Sequence, residues 1–306
     1  MKKIVVFGSL NMDLVIHSNY LPQAGETIDG EAFFTNTGGK GGNQAVAASK
    51  LGGDVRMIAC VGNDGFGVEI LNALRDYKLD VSNVVVRADE TTGVAVIICK
   101  DGDNRIILNA GTNYSIVPEE VEKLIDDSGD EGDIFITQYE CRKETVIHAL
   151  EYAKSKGMYT IFNPAPAKEI PKYAYKTIDL LVVNQTECRF LTGVFPENEE
   201  TATEAISILK AMGVKDAVIT LGKHGSITLV DDRVVIVPII DVPVIDTTAA
   251  GDSYIGALAV GLQNGKSLEE CMKIATAVSA LTVTRQGAQQ SIPDKEELKE
   301  FLRPKK

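Results

Sequence analysis

The chain of 306 residues has little of what a metal site or a disulfide scaffold requires. Its three histidines, His17, His148 and His224, show no HExxH or comparable ligand spacing, which argues against zinc. The five cysteines (Cys60, Cys99, Cys141, Cys188, Cys271) are dispersed, odd in number and without a CxxC pair, as reduced thiols of a cytosolic protein are. Basic residues are in deficit. The 31 Lys and Arg face 43 Asp and Glu, and the net charge of −12 argues against a general nucleic-acid binder. It does not exclude an anionic small molecule, because backbone N–H groups, one lysine and a metal ion can hold phosphates inside an acidic protein. No apolar run approaches the ~18 residues that would span a bilayer. The opening MKKIVVFGSLNMD has an apolar run too short for a signal peptide, ended by Asn11 and Asp13, and reads as a first strand. The cytoplasm is the expected location.

Two nucleotide-binding signatures are missing as well. There is no G-x-x-x-x-G-K-[ST] loop: Gly265-Lys266-Ser267 resembles the end of one, but Val260 stands where its first glycine belongs. No G-x-G-x-x-G follows the first strand, which disfavours a nicotinamide-dependent dehydrogenase.

What the chain does have is regular alternation. KIVVFG at 3–8 reads as a buried parallel strand, and DLVIH and EAFFTN as strands too polar for a sheet centre. From residue 118 onward helices and strands alternate: helix 118–126, strand 133–137, helix 143–156, strands 159–163 and 179–183, helices 185–192 and 200–212, and strand 217–222. A hairpin, SITLV and RVVIVP, and a helical C-terminal part follow. Ile255, Leu258, Ala259 and Leu262 share one helical face, and Ser267 with Glu270 forms a capping box. The pattern predicts an α/β fold: a mostly parallel central sheet with helices on both faces, plus a small β-sheet lid inserted at about 12–36 and 84–108, all within one domain spanning 1–306. In such sheets the chemistry sits outside the carboxyl ends of the strands.

Two stretches stand out. In VIDTTAAGDSYIGALAVGL (244–262), Asp252 lies at the entrance of a helix, after Ala249, Ala250 and Gly251, whose small side chains leave helix N–H groups accessible. A helix N-terminus carries about +0.5 of an elementary charge, so it suits phosphate, and a carboxylate beside it could accept a hydroxyl proton. The bland alternative is an N-cap aspartate in a small-residue packing site. The second stretch, TGGKGGNQA, offers glycines for close backbone approach and donors on Lys40 and Asn43, or else a flexible helix start.

Together, GGKGGNQAVAASKLG and DTTAAGDSYIGAL resemble the paired signatures of the ribokinase family of carbohydrate kinases. GSLNMDLV, QAGET, ACVGNDGFG, NAGTN, NPAPA, VVNQTE, ITLGKHG and TRQGAQQS resemble the same family in order and spacing over essentially the whole chain. The resemblance implies ATP-dependent phosphorylation of a sugar, D-ribose at O5, with Asp252 as general base and Ala249, Ala250 and Gly251 in a backbone anion hole. It implies that the sugar is gripped by Asn11, Asp13, Gly39, Lys40, Gly41, Gly42, Asn43, Glu140 and Asp252 itself. For ATP it implies Asn184, Glu187, Thr220, Leu221, Gly222, Lys223, His224, Gly225, Gly251 and Thr276, with Glu187 acting through Mg²⁺ and water. A potassium ion would be held, mostly by carbonyls, at Asp246, Thr248, Thr282, Arg285, Gly287 and Ser291. A homodimer through the lid is also implied. Read from the residues alone, Glu140 would be a solvated loop charge, NQTE a helix N-cap and Asp13 a turn or lid-edge carboxylate. Ile255 departs from the asparagine usual at its place in the family, a change in helix-entry packing. The same family offers deoxyribose, fructose or a nucleoside as rival substrates. A sugar-binding regulator without activity is disfavoured by the presence of Asp252, Gly251 and Lys40.

Overall fold

The computed structural model describes residues 2–100, 103–231 and 233–303. Among them, thirteen strands are formed: β1 (Ile4–Phe7), β2 (Asn11–His17), β3 (Ala32–Gly38), β4 (Val55–Gly62), β5 (Val84–Arg87), β6 (Gly93–Lys100), β7 (Asp103–Asn109), β8 (Ile134–Gln138), β9 (Tyr159–Asn163), β10 (Leu180–Asn184), β11 (Asp216–Thr220), β12 (Ser226–Val230) and β13 (Arg233–Val237). The helices are α1 (Lys40–Lys50), α2 (Gly65–Asp76), α3 (Pro118–Ser128), α4 (Lys143–Ser155), α5 (Gln185–Thr192), α6 (Glu199–Met212), α7 (Ala250–Gln263), α8 (Leu268–Thr282) and α9 (Lys295–Phe301).

Nine strands make the main sheet in the order β13-β12-β11-β10-β9-β8-β1-β4-β5, parallel from β5 to β11 and closed at the other edge by the antiparallel β12–β13 hairpin. β1 shows why its sequence is unbroken in apolar residues. Ile4 and Val6 point into a core shared with α1, α7 and α8, while Val5 and Phe7 point into a second core shared with α3, α4 and α6. A strand buried on both faces cannot alternate polar and apolar residues.

The smaller sheet runs β3-β2-β6-β7, with β2 and β6 parallel and each outer strand antiparallel to its neighbour. It forms the lid expected from the alternating segments. One correction is needed. Residues 84–87, expected in the lid, form β5 and pair with β4 at the edge of the main sheet, so the second lid segment is β6–β7 alone. β2 follows β1 after only Gly8, Ser9 and Leu10, so the lid rises directly from the carboxyl end of a central strand.

Candidate active site

Asp252 does not cap its helix. The residue in the cap position of α7 is Ala249, held at φ 60° in the left-handed region, which removes any capping side chain and turns the chain sharply into the helix. Its carbonyl still accepts from Ser253 N at 2.8 Å. The backbone N–H groups of Gly251 and Asp252 have no protein acceptor among the described residues, and a Cβ built on Gly251 would meet open space. These are the donors an anion needs at a helix start. The Asp252 carboxylate instead reaches across to α1. Oδ2 accepts from Asn43 Nδ2 and Oδ1 from Gln44 Nε2, each at 3.0 Å, and the residue is 7% exposed.

A cavity of about 690 Å³ opens between this point and the lid. Asn11, Asp13, Gly39, Lys40, Asn43, Glu140, Ala249 and Asp252 all line it. Asp13 sits within β2, not in a turn, and alternation puts it on the same face as Asn11. Burial pushes its carboxyl up to about 7, and the neighbouring charges of Glu140 and Asp252 add to this. Glu140, after β8, is anchored rather than solvated: its Oε2 accepts from Ser9 Oγ at 2.6 Å and from the backbone N of Lys40 at 3.0 Å. Lys40 is the cation among these carboxylates. Asp252 raises its pKa above the usual ammonium value against the opposing effect of burial, with Glu140 and Glu187 adding to the rise.

Gly39 needs its glycine, at φ 87° with Ser9 and Asn11 backbone atoms within 3 Å of where a Cβ would stand. Gly41 and Gly42, expected to touch sugar, do not line the cavity. A Cβ on Gly41 would lie 2.6 Å from the backbone of Gly8, and Gly42 N donates to Ser9 O at 2.9 Å. They let α1 press against the end of β1 and so place Lys40 and Asn43.

The other predicted residues form two further groups, of which Asp246, Thr248 and Gly287 also line the cavity. Asn184 caps α5 in a reciprocal box: its Oδ1 accepts from Glu187 N at 2.8 Å and its own N donates to Glu187 Oε2 at 2.9 Å. Asn184 is the register partner of Thr220, and Leu221–Gly225 turns tightly beyond it, with Leu221 N donating to Gly225 O at 2.7 Å. Gly222, Lys223 and His224 are exposed there, while Thr276 is buried in α8 and makes no hydrogen bond to that turn among the described residues. Burial raises the pKa of the half-buried Glu187, opposed by its bond from Asn184 and by Lys40, with Asp252 raising it further.

In the third group, Asp246 ties two loops. Its Oδ1 accepts from Thr248 N and Oγ1 at 2.9 and 2.6 Å, and its Oδ2 from Gly287 N at 2.9 Å. The Thr282 carbonyl accepts from Arg285 N at 3.2 Å, the Arg285 guanidinium pairs with Glu297 at 2.8 Å, and Ser291 is buried. Sequence reasoning missed Ser9, which orients Glu140, and Asn113, whose side chain bonds Leu10 N and Asn11 Oδ1. It also missed Gln44, adjacent to Asn43 and one helical position around. The asparagine closing NAGTN was the only available signal for Asn113.

This arrangement, a charged cavity under a β-lid with an open helix N-terminus at its floor, is that of a small-molecule kinase lacking a P-loop. The pfkB carbohydrate kinase family model matches residues 1–295, and the chain belongs to that family. It is 36% identical to a ribokinase of Haemophilus influenzae and 34% identical to a deoxyribokinase of Salmonella typhi, each match covering 98% of both chains. The solved ribokinase of Arabidopsis thaliana, complexed with ribose and ATP, matches with a TM-score of 0.92 at 32% identity over 99% of both chains.

Proposed function

We propose that the protein transfers the γ-phosphoryl group of ATP to O5 of D-ribose, giving ribose 5-phosphate and ADP. The observation that carries this reading is the position of Asp252. Its carboxylate faces the polar cavity while the unpaired N–H groups of its own helix start lie beside it. Asp252 takes the proton of the 5-hydroxyl as the O5–phosphorus bond forms and the bond to the β,γ-bridging oxygen breaks. The N–H groups of Ala249, Gly251 and Asp252, with Lys40, stabilise charge on the transferring phosphoryl, while Ala250 N already donates to Thr247 O at 3.3 Å. Asn11, Asp13, Asn43 and Glu140 bind sugar hydroxyls, and the lid excludes water that would otherwise hydrolyse ATP. Asn184, Glu187, the turn at 220–225 and the Thr276 face of α8 hold the nucleotide.

Among the described residues no cluster of three His, Cys, Asp or Glu could hold a metal alone. Magnesium characteristically keeps waters and phosphate oxygens and borrows one or two carboxylates, which fits a single half-buried Glu187. When bound it neutralises phosphate charge. For potassium, the fitting feature is Asp246, a half-buried carboxylate with no ion pair among the described residues, between loops whose carbonyls at Thr248, Thr282, Arg285 and Gly287, with Ser291, supply oxygen donors. A homodimer through the lid is supported by exposed apolar side chains on it, Phe33 and Ile107 among them. Location in the cytoplasm accords with reduced, mostly buried cysteines.

The test is ADP release in a coupled assay, comparing Asp252→Asn with wild type across pentoses, hexoses and nucleosides, with and without potassium. A loss smaller than about tenfold removes the general-base role. The similarity to a deoxyribokinase favours one second reading, 2-deoxyribose as acceptor. A kcat/KM higher for deoxyribose than for ribose would establish it.

A further inference from the structure

Asp252 is oriented from outside its own helix, and the group on its Oδ1 leads into a buried chain of amides. Gln44 Nε2 donates to Asp252 Oδ1 at 3.0 Å and lies 3.4 Å from Asn163 Oδ1. Gln138 Nε2 donates to Gln44 Oε1 at 2.7 Å, and Asn163 Nδ2 donates to the Val182 carbonyl at 3.0 Å. Gln138 and Asn163 are register partners at the carboxyl ends of β8 and β9. Gln44 and Gln138 are fully buried.

The bonds fix each amide's orientation. A carbonyl such as that of Val182 only accepts, so Asn163 must present its NH₂ there and its oxygen toward Gln44. Gln138 donates to the Gln44 oxygen, so the Gln44 NH₂ must face Asp252. Neither amide can flip without setting oxygen against oxygen. Gln138 Oε1 itself has no partner among the described residues, a cost an apolar side chain at this strand end would not incur. The sheet needs no glutamine there; the Asp252 carboxylate does.

We propose that Gln44, held by Gln138 and Asn163, is a positioning residue that fixes the plane of the Asp252 carboxylate and thereby the direction of its free lone pair. The proposal rests on Asp252 being the general base. The relay runs from three adjacent strands of the main sheet to the reacting hydroxyl, and α1 is its last link. Sugar affinity comes from Asn11, Asp13, Asn43 and Glu140, so loss of Gln44 acts on the chemical step.

Steady-state kinetics of the full-length Gln44→Met, Gln138→Met, double and Asp252→Asn variants, with calorimetric titration of ribose, test this. Gln44→Met is expected to lower kcat about 30-fold, with KM and Kd for ribose within about threefold of wild type, since misorientation of a reacting group alone can cost about 10²-fold. Gln138→Met is expected to lower kcat about fivefold, and the double variant to be no slower than Gln44→Met within about twofold, because Gln138 acts through Gln44. A folded Gln44→Met variant with kcat within threefold of wild type overturns the proposal. So do a matching rise in Kd or multiplicative losses in the double variant. If Gln44→Met does not fold, Gln138→Met decides: reduced kcat at unchanged ribose affinity supports the relay, and unchanged kcat overturns it. Asp252→Asn separates the two readings. If it retains more than a tenth of the rate, the base assignment fails; if it is inactive while Gln44→Met is normal, only the relay does.

Discussion

The two halves of the site, the proposed sugar side and the proposed nucleotide side, are built in opposite ways. On the sugar side, side chains far apart in sequence hold one another. Ser9 and the Lys40 backbone fix Glu140, Asn113 fixes Asn11, and Asn43 and Gln44 fix Asp252. On the nucleotide side the capping and turn bonds are local. Asn184 and Glu187 cap their own helix, and Leu221 closes a turn on Gly225. The first side gathers carboxylates around a cavity, where burial raises the pKa of Asp13; the second leaves Gly222, Lys223 and His224 exposed. A network assembled from many elements discriminates among polyols by leaving its groups unpaired with the wrong one. A locally built surface suits a ligand common to many enzymes.

The sharpest break of this comparison is Asp252→Asn, where the two sides meet. It is expected to lower kcat at least about 100-fold while ribose and ATP affinities change by less than threefold, as measured by ADP release and calorimetry. Next comes Asp13→Asn, which should raise the ribose KM by about tenfold or more and leave the ATP KM unchanged. Asp13 also makes a prediction about pH. Its carboxyl titrates at about 7 in the folded protein instead of near 3.8, so the folded state favours the protonated form. That contribution to stability is complete below about pH 4 and is lost as the pH rises through about 7. Asp13→Asn should therefore raise the melting temperature by a few degrees at pH 8 and much less at pH 5 in thermal scans. A smaller effect is expected from Glu187→Gln. Glutamine keeps the capping box, so stability should hold while the KM for ATP with magnesium rises about fivefold and that for ribose stays put. A ribose effect as large as the ATP effect would erase the distinction between the sides. The smallest change is Arg285→Ala. It removes a partly exposed pair with Glu297, worth at most about 1 kcal/mol, and should barely move either KM.

Much of this site was legible in the chain because its signals are local. Glycine runs mark tight turns, and an aspartate after small residues at a helix start marks an anion site. The strand-end rule then says where to look. Thus β9 and α5 fall where alternation and capping place them, at Tyr159–Asn163 and Gln185–Thr192. What escaped was pairing. Val84–Arg87 is as strand-like as its neighbours, and only the partner β4 decides that it joins the main sheet. Nothing in the sequence shows that Gly41 packs against the backbone of Gly8 and Ser9, and Gly42 against Leu10 and Gln289. Gln44, Gln138 and Asn163 are polar residues in apolar surroundings, and no spacing rule links positions about a hundred residues apart.

The lid carries a consequence of another kind. Its inner strands, β2 and β6, come from different insertions, and each brings its own outer strand, β3 or β7. Removing either insertion would expose a full edge of the other, a template for unwanted pairing. Neither half can be trimmed or grafted alone. For anyone who would re-engineer it, the lid is a single unit written in two places along the chain.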